Sequence, residues 1–179
     1  HYADLDGAQD SLTGKPCKEV VVSWRMGSGA DYLGVYALEA EQMQAQALIM
    51  TAYQTYRLVD LDRDGLTELA IAHINQELTS GNVELHDWNA AGVATVSSSA
   101  LSAGICAIGQ MKADYLTDLI PALYITGELA DGSKVTDVLA LQDGKLANLS
   151  MDPETGVSRE LVTGLREVAS SDVNSDYIS

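Results

Sequence analysis

Four short acidic segments recur along this chain at nearly even intervals, and no other feature restricts its fold as much. They are Ala3-Asp4-Leu5-Asp6-Gly7, Val59-Asp60-Leu61-Asp62-Arg63-Asp64-Gly65, Ala113-Asp114-Tyr115-Leu116-Thr117-Asp118 and Ser171-Asp172-Val173-Asn174-Ser175-Asp176. Their first aspartates, Asp4, Asp60, Asp114 and Asp172, lie 56, 54 and 58 residues apart. A steady period of this length marks a repeat architecture, in which each copy is one supersecondary unit that buries its apolar face against the next. The approximate repeats run 3–58, 59–112 and 113–170, with 171–179 opening a further copy, and no linker divides 1–179 into separate domains.

The stretches after the acidic segments are also alike. Glu19-Val20-Val21-Val22-Ser23-Trp24, Glu68-Leu69-Ala70-Ile71-Ala72-His73 and Ala122-Leu123-Tyr124-Ile125-Thr126 are short apolar runs rich in strand formers. Further on, Tyr36-Ala37-Leu38-Glu39, Leu85-His86-Asp87-Trp88 and Leu139-Ala140-Leu141-Gln142 each meet a polar link: Ala40-Glu41-Gln42, Asn89-Ala90-Ala91-Gly92 and Asp143-Gly144-Lys145. Alternating runs such as Val93-Ala94-Thr95-Val96 and Leu146-Ala147-Asn148-Leu149 come next, which makes a hairpin in every copy. Adding a fourth strand such as Gly104-Ile105-Cys106-Ala107-Ile108 gives an all-β, propeller-like array of about three four-stranded blade units. Three blades fall short of a usual closed ring, so an open arc, an incomplete piece of a longer protein and one part of an oligomer all fit. The competing fold is α+β: residues 38–56 are full of Ala, Glu, Gln, Met and Leu, whose propensity favours one helix there.

Composition narrows the function. With 46% hydrophobic and 20% charged residues, the 179-residue chain buries a real core and is not disordered. Ten Lys and Arg against 26 Asp and Glu leave a formal charge of −16, which repels phosphate backbones and anionic lipid, so neither nucleic acid nor a membrane surface is an expected partner. The uncharged stretch 88–111 carries too many Ser, Asn, Gln and Gly to insert into lipid. No signal-peptide pattern opens the chain, and His1 followed by an acidic stretch reads as a trimmed mature start. Cys17 and Cys106 lack the spacing of zinc or redox motifs, and the sequence leaves their pairing open.

One segment has clear chemistry. From Asp60, carboxylates fall at positions 1, 3, 5 and 9, as Asp60, Asp62, Asp64 and Glu68. Alternate residues of a tight loop point the same way, and a hard cation such as Ca2+ takes six to eight oxygens, so these side chains suit one calcium ion. Gly65 permits the left-handed turn that wraps the chain, the Leu66 carbonyl is the natural next ligand, and Glu68 closes the shell. An EF-hand would need its closing Glu at position 12, which is Ile71, and helices on both sides; dockerin-type loops fail for the same want of a helix. The other copies are degenerate: Leu116, Leu119 and Ala122 replace the second Asp, the Gly and the Glu in the third, and Tyr177 replaces the Gly in the fourth. In the first, Asp4 and Asp6 match, but an insertion of about seven residues containing Asp10 separates them from Glu19, so one good site and at most a weak second are expected.

The pattern D-x-D-x-D-G-x-x-E before a β-rich strand, repeated at about 55 residues, resembles the FG-GAP or VCBS-type repeats of integrin-like propellers. The resemblance implies calcium bound by Asp60, Asp62, Asp64, the Leu66 carbonyl and Glu68, in an extracellular or cell-surface protein. The family's Phe-Gly and Gly-Ala-Pro signatures are missing, as the chain has no Phe. No common nucleophile, metal-hydrolase or phosphate-binding motif occurs, and His73 takes the place of Trp24 in the repeat, a packing position. The expected function is therefore a non-enzymatic, calcium-stabilised binding or scaffolding module with a protein or glycan ligand. Its rival is a fragment or accessory part of a secreted carbohydrate-active enzyme whose catalytic part lies elsewhere or in a carboxylate pair that 26 acids leave unspecific.

Overall fold

A computed structural model describes residues 2–5, 18–27, 29–39, 44–88, 94–117 and 119–150. Among them there are twelve strands and no helix. The first sheet has β1 (Tyr2–Leu5), β2 (Lys18–Arg25), β3 (Asp31–Glu39) and β4 (Gln44–Ala52). The second has β5 (Thr55–Val59), β6 (Glu68–Ile74), β7 (Gly81–Trp88) and β8 (Ala94–Ala100). The third has β9 (Ile105–Thr117), β10 (Ile120–Leu129), β11 (Lys134–Gln142) and β12 (Lys145–Asn148). Strands neighbour one another in chain order within every sheet, so each is a four-stranded meander, and the chain is all-β as its repeats require.

The helix expected as an alternative over 38–56 does not form. β3 runs to Glu39, β4 pairs with it from Tyr32↔Ala52 to Glu39↔Gln44, and β5 follows at once; residues 40–43 lie outside the described set. Helix propensity there is worth only a few tenths of a kcal/mol per residue. Pairing with β3 and packing of Leu48 and Ile49 on the core outweigh it.

Two further expectations change. The strand at Ile105 is not the last of the second sheet but the first of the third, pairing with β10 from Ile105↔Leu129 to Thr117↔Ile120. The third acidic segment is accordingly no loop: residues 113–117 belong to β9. Ala3, Asp4 and Leu5 likewise belong to β1, while Asp6 and the rest of the first acidic segment lie outside the described residues, as does the fourth. The sheets thus group residues 2–52, 55–100 and 105–148, and each of the first three acidic segments meets the junction of a sheet's first two strands, at Leu5↔Glu19, Val59↔Glu68 and Thr117↔Ile120.

Hairpin chemistry is local. Asp143 and Gly144 have φ of 50° and 73°, the mirror-image turn that a two-residue hairpin loop needs, and Gln142 pairs with Lys145 across it.

The chain divides into two compact units, 1–73 with 84–97 and 74–83 with 98–179. In the first, Val21, Leu33 and Val35 from β2 and β3 form one buried cluster with Leu69, Ile71 and Trp88 from β6 and β7. Alternation explains it: Leu33 and Val35 are fully buried, whereas Tyr32, Gly34 and Tyr36 occupy the opposite face of β3. β6 is buried along Glu68, Leu69, Ala70, Ile71 and Ala72, so both of its faces are covered, and this fixes the end of the acidic loop that runs into it.

In the second unit, Ala122, Val138 and Ala140 form a cluster with Leu116, Tyr124 and Leu149 against it. Ile105, Leu123, Ile125 and Leu139 are also fully buried. Asp137 on β11, 0% exposed, accepts hydrogen bonds from the Ser102 N–H (2.7 Å) and hydroxyl (2.6 Å). The buried Ser150 hydroxyl, in turn, accepts from the Val138 N–H at 2.7 Å. Cys106 is a free thiol whose S–H donates to the Glu128 carbonyl, and Cys17 lies outside the described residues. No helix is long and apolar enough to cross a membrane among the described residues.

Candidate metal centre

The pair Val59↔Glu68 closes the loop 60–67 between β5 and β6, and the sequence of that loop dictates its shape. Asp62 Oδ1 accepts from the Asp64 N–H at 3.0 Å, and Asp64 Oδ1 accepts from the Leu66 N–H at 2.7 Å. These are successive Asx turns, each tying a side chain to the backbone two residues on. Asp60 Oδ2 accepts from the Gly65 N–H at 3.2 Å, which draws the start of the loop to its far side. Gly65 has φ of 87°, the left-handed conformation expected of it; Arg63 is left-handed too, at 65°, which the sequence did not announce.

Four of the five predicted residues are brought together. One oxygen from each of Asp60, Asp62, Asp64 and Glu68 lies within 4.8 Å of the others, so the cluster can hold a metal ion. Leu66, the fifth, lies in the same loop, its N–H on Asp64. Asp62 and Asp64 are exposed, Asp60 half-buried, and Glu68 only 2% exposed. Glu68 Oε2 accepts from the Leu61 N–H, whereas Oε1 is buried with no hydrogen-bond partner, and so is Asp60 Oδ1. A buried carboxylate oxygen without a donor is costly, and two of them facing one acidic cluster are what a bound cation would satisfy.

Electrostatics agree with the geometry. Burial pushes the Glu68 carboxyl up to about 8; the Leu61 N–H opposes this, and repulsion from Asp62, Asp60 and Asp87 adds to it. Burial also raises Asp62, with Asp64, Asp87 and Asp60 contributing and the Asp64 N–H opposing. Without an ion, Glu68 therefore retains a proton in the folded state between its ordinary value of 4.5 and about 8. Its effect on metal-free stability has a definite sign: the folded state binds more protons in that window, so stability is lost as pH rises through it. A metal must displace the proton, and its affinity should increase up to about tenfold per pH unit below pH 8 and then level off. Calorimetry in buffers of different ionisation enthalpy measures the released proton; affinity flat from pH 5.5 to 8 would contradict it.

The sequence missed two features. Asp87 on β7 acts electrostatically on both Glu68 and Asp62, although nothing in its spacing connects it to the loop. His73 and His86 face one carboxylate: their Nε2 atoms lie 3.6 and 3.4 Å from Glu84 Oε2. Both nitrogens are buried without a hydrogen-bond partner. His86 stacks on Trp88 at 6.0 Å, and burial lowers its pKa against the pull of Glu84. His73 thus has the polar neighbour Glu84 at the strand position that the repeat assigned to packing. No family model, curated protein or solved structure matches the chain.

Proposed function

We propose that this chain is a non-enzymatic binding or scaffolding module of the extracellular or cell-surface kind, propeller-like in its repeats and stabilised by one calcium ion. The observation that carries the reading is the pair of buried, unpartnered oxygens, Glu68 Oε1 and Asp60 Oδ1, in a four-carboxylate cluster. Calcium suits the donor set better than zinc or copper, since the four side chains offer hard carboxylate oxygens and no nitrogen or sulfur. Asp60, Asp62, Asp64 and Glu68 would hold it, with the Leu66 carbonyl as the backbone ligand. Bound there, the ion would offset part of the cluster's negative charge and tie the loop to the buried start of β6.

The resemblance of D-x-D-x-D-G-x-x-E to FG-GAP and VCBS-type repeats supports the same reading, as do three successive four-stranded meanders. Extracellular calcium modules bind at roughly 10⁻⁴–10⁻³ M, so such a site would fill outside a cell and stay empty in a cytosol. Titration calorimetry of the chain with calcium should give one ion in that affinity range. Absence of heat at millimolar calcium would overturn the calcium reading. Glycan hydrolysis that disappears on mutating a carboxylate pair would overturn the non-enzymatic one.

A further inference from the structure

We propose that Asp87 belongs to the metal centre as an outer carboxylate, accepting a hydrogen bond from a water on the bound ion and setting the ion's affinity. The inference rests on the calcium reading above. Three observations on the protein lead to it. First, β7 lies beside β6 in the second sheet, and their connection closes with the Asn75 N–H on the Ser80 carbonyl at 2.9 Å. Continuing that antiparallel register down the two strands sets Asp87 opposite Glu68, on the same face of the sheet. Second, Asp87 Oδ2 accepts from the Thr95 hydroxyl of β8 at 3.3 Å, which ties the carboxylate to the neighbouring strand. Third, Asp87 is not one of the four residues whose oxygens lie within 4.8 Å of one another, so, placed opposite Glu68, it stands one layer out from the ligands.

The ligand count supplies the chemistry. Calcium takes six to eight oxygens, and four carboxylates with one carbonyl leave room for water. A coordinated water needs an acceptor for its protons, and carboxylates placed around the ligands commonly serve, their loss lowering metal affinity about 10–100-fold. That the cluster receives a cation at all has its own support in Glu68, 2% exposed with Oε1 unpartnered among the other carboxylates.

Calorimetry with calcium chloride and terbium luminescence lifetimes in H2O and D2O, both on the full chain, test the assignment. Asp87→Asn should weaken calcium binding about tenfold or more while one ion still binds and the number of waters on terbium is unchanged. Thr95→Val, which keeps the carboxylate but removes its hydroxyl partner, should weaken binding by a smaller factor. Asp114→Asn, which removes the same charge from β9, should change affinity less than twofold. Affinity of Asp87→Asn within twofold of the unmutated chain would overturn the proposal, and so would an added water on terbium, which would make Asp87 a direct ligand. Failure of the unmutated chain to bind calcium would instead overturn the centre itself, and Asp87's part with it.

Discussion

Calcium at 10 mM should raise the melting temperature of the metal-free chain by roughly 3–10 °C. An ion that binds only the folded state stabilises it by about 1.4–2.7 kcal/mol when its concentration is ten- to a hundredfold above the dissociation constant. For a chain of this size, each kcal/mol moves the midpoint by about 2–4 °C. Asp62→Ala and Glu68→Ala should each erase the rise, because each removes one of the four converging oxygens. The two variants should differ without calcium. Glu68→Ala leaves the Leu61 N–H without its acceptor but also removes a carboxyl that is buried with an unpartnered oxygen, whereas Asp62 is exposed. Asp114→Ala, in the acidic segment that β9 absorbs, should keep the full rise. A rise that survives Glu68→Ala would place the calcium effect elsewhere.

The largest loss of stability is expected from Asp137→Ala. Its side chain accepts two short hydrogen bonds from Ser102 in a site with no exposure, and truncation would leave the Ser102 N–H and hydroxyl buried without that acceptor. A buried donor left without its acceptor costs about 1–3 kcal/mol, so the loss of two should be about 2–5 kcal/mol. Asp137→Asn keeps one acceptor oxygen and should lose about half as much. Urea unfolding monitored by circular dichroism reads both, and an Asp137→Ala midpoint equal to that of the unmutated chain would contradict the account. The calcium-dependent rise should persist in Asp137→Asn, since Asp60, Asp62, Asp64 and Glu68 are unaltered.

Much of this architecture is legible in the residues, for identifiable reasons. Glu19 to Trp24 and Glu68 to His73 fall in β2 and β6 because β-branched and apolar side chains there fill buried positions. Asp143-Gly144 marks its hairpin by backbone chemistry alone. The helix-favouring composition of 38–56 misleads in isolation because pairing with β3 decides the structure, and pairing is not a local property. The third acidic segment misleads differently. With Leu119 where the second copy has Gly65, it lacks that copy's left-handed glycine, and the chain stays extended through Thr117.

The carboxylate cluster is readable because its four side chains sit in nine consecutive residues, and local spacing decides how a tight loop points them. Leu66 is expected to act through its carbonyl, and the structure places its N–H on Asp64, within the same turn series. Asp87 is hidden because it comes from another strand; only the β6–β7 pairing brings it near, nineteen residues after Glu68. The same holds for Ser102 and Asp137, which are 35 residues apart.

A crystal structure of the chain grown in 10 mM calcium chloride tests the central claim most directly. The account predicts one calcium ion in the loop 60–67, with Asp60, Asp62, Asp64, the Leu66 carbonyl and Glu68 at about 2.3–2.6 Å. Glu68 Oε1 and Asp60 Oδ1, unpartnered in the protein, should each acquire the ion or one of its waters as a partner. A calcium-grown structure with only water at that position, or with the ion bound by other residues, would contradict it.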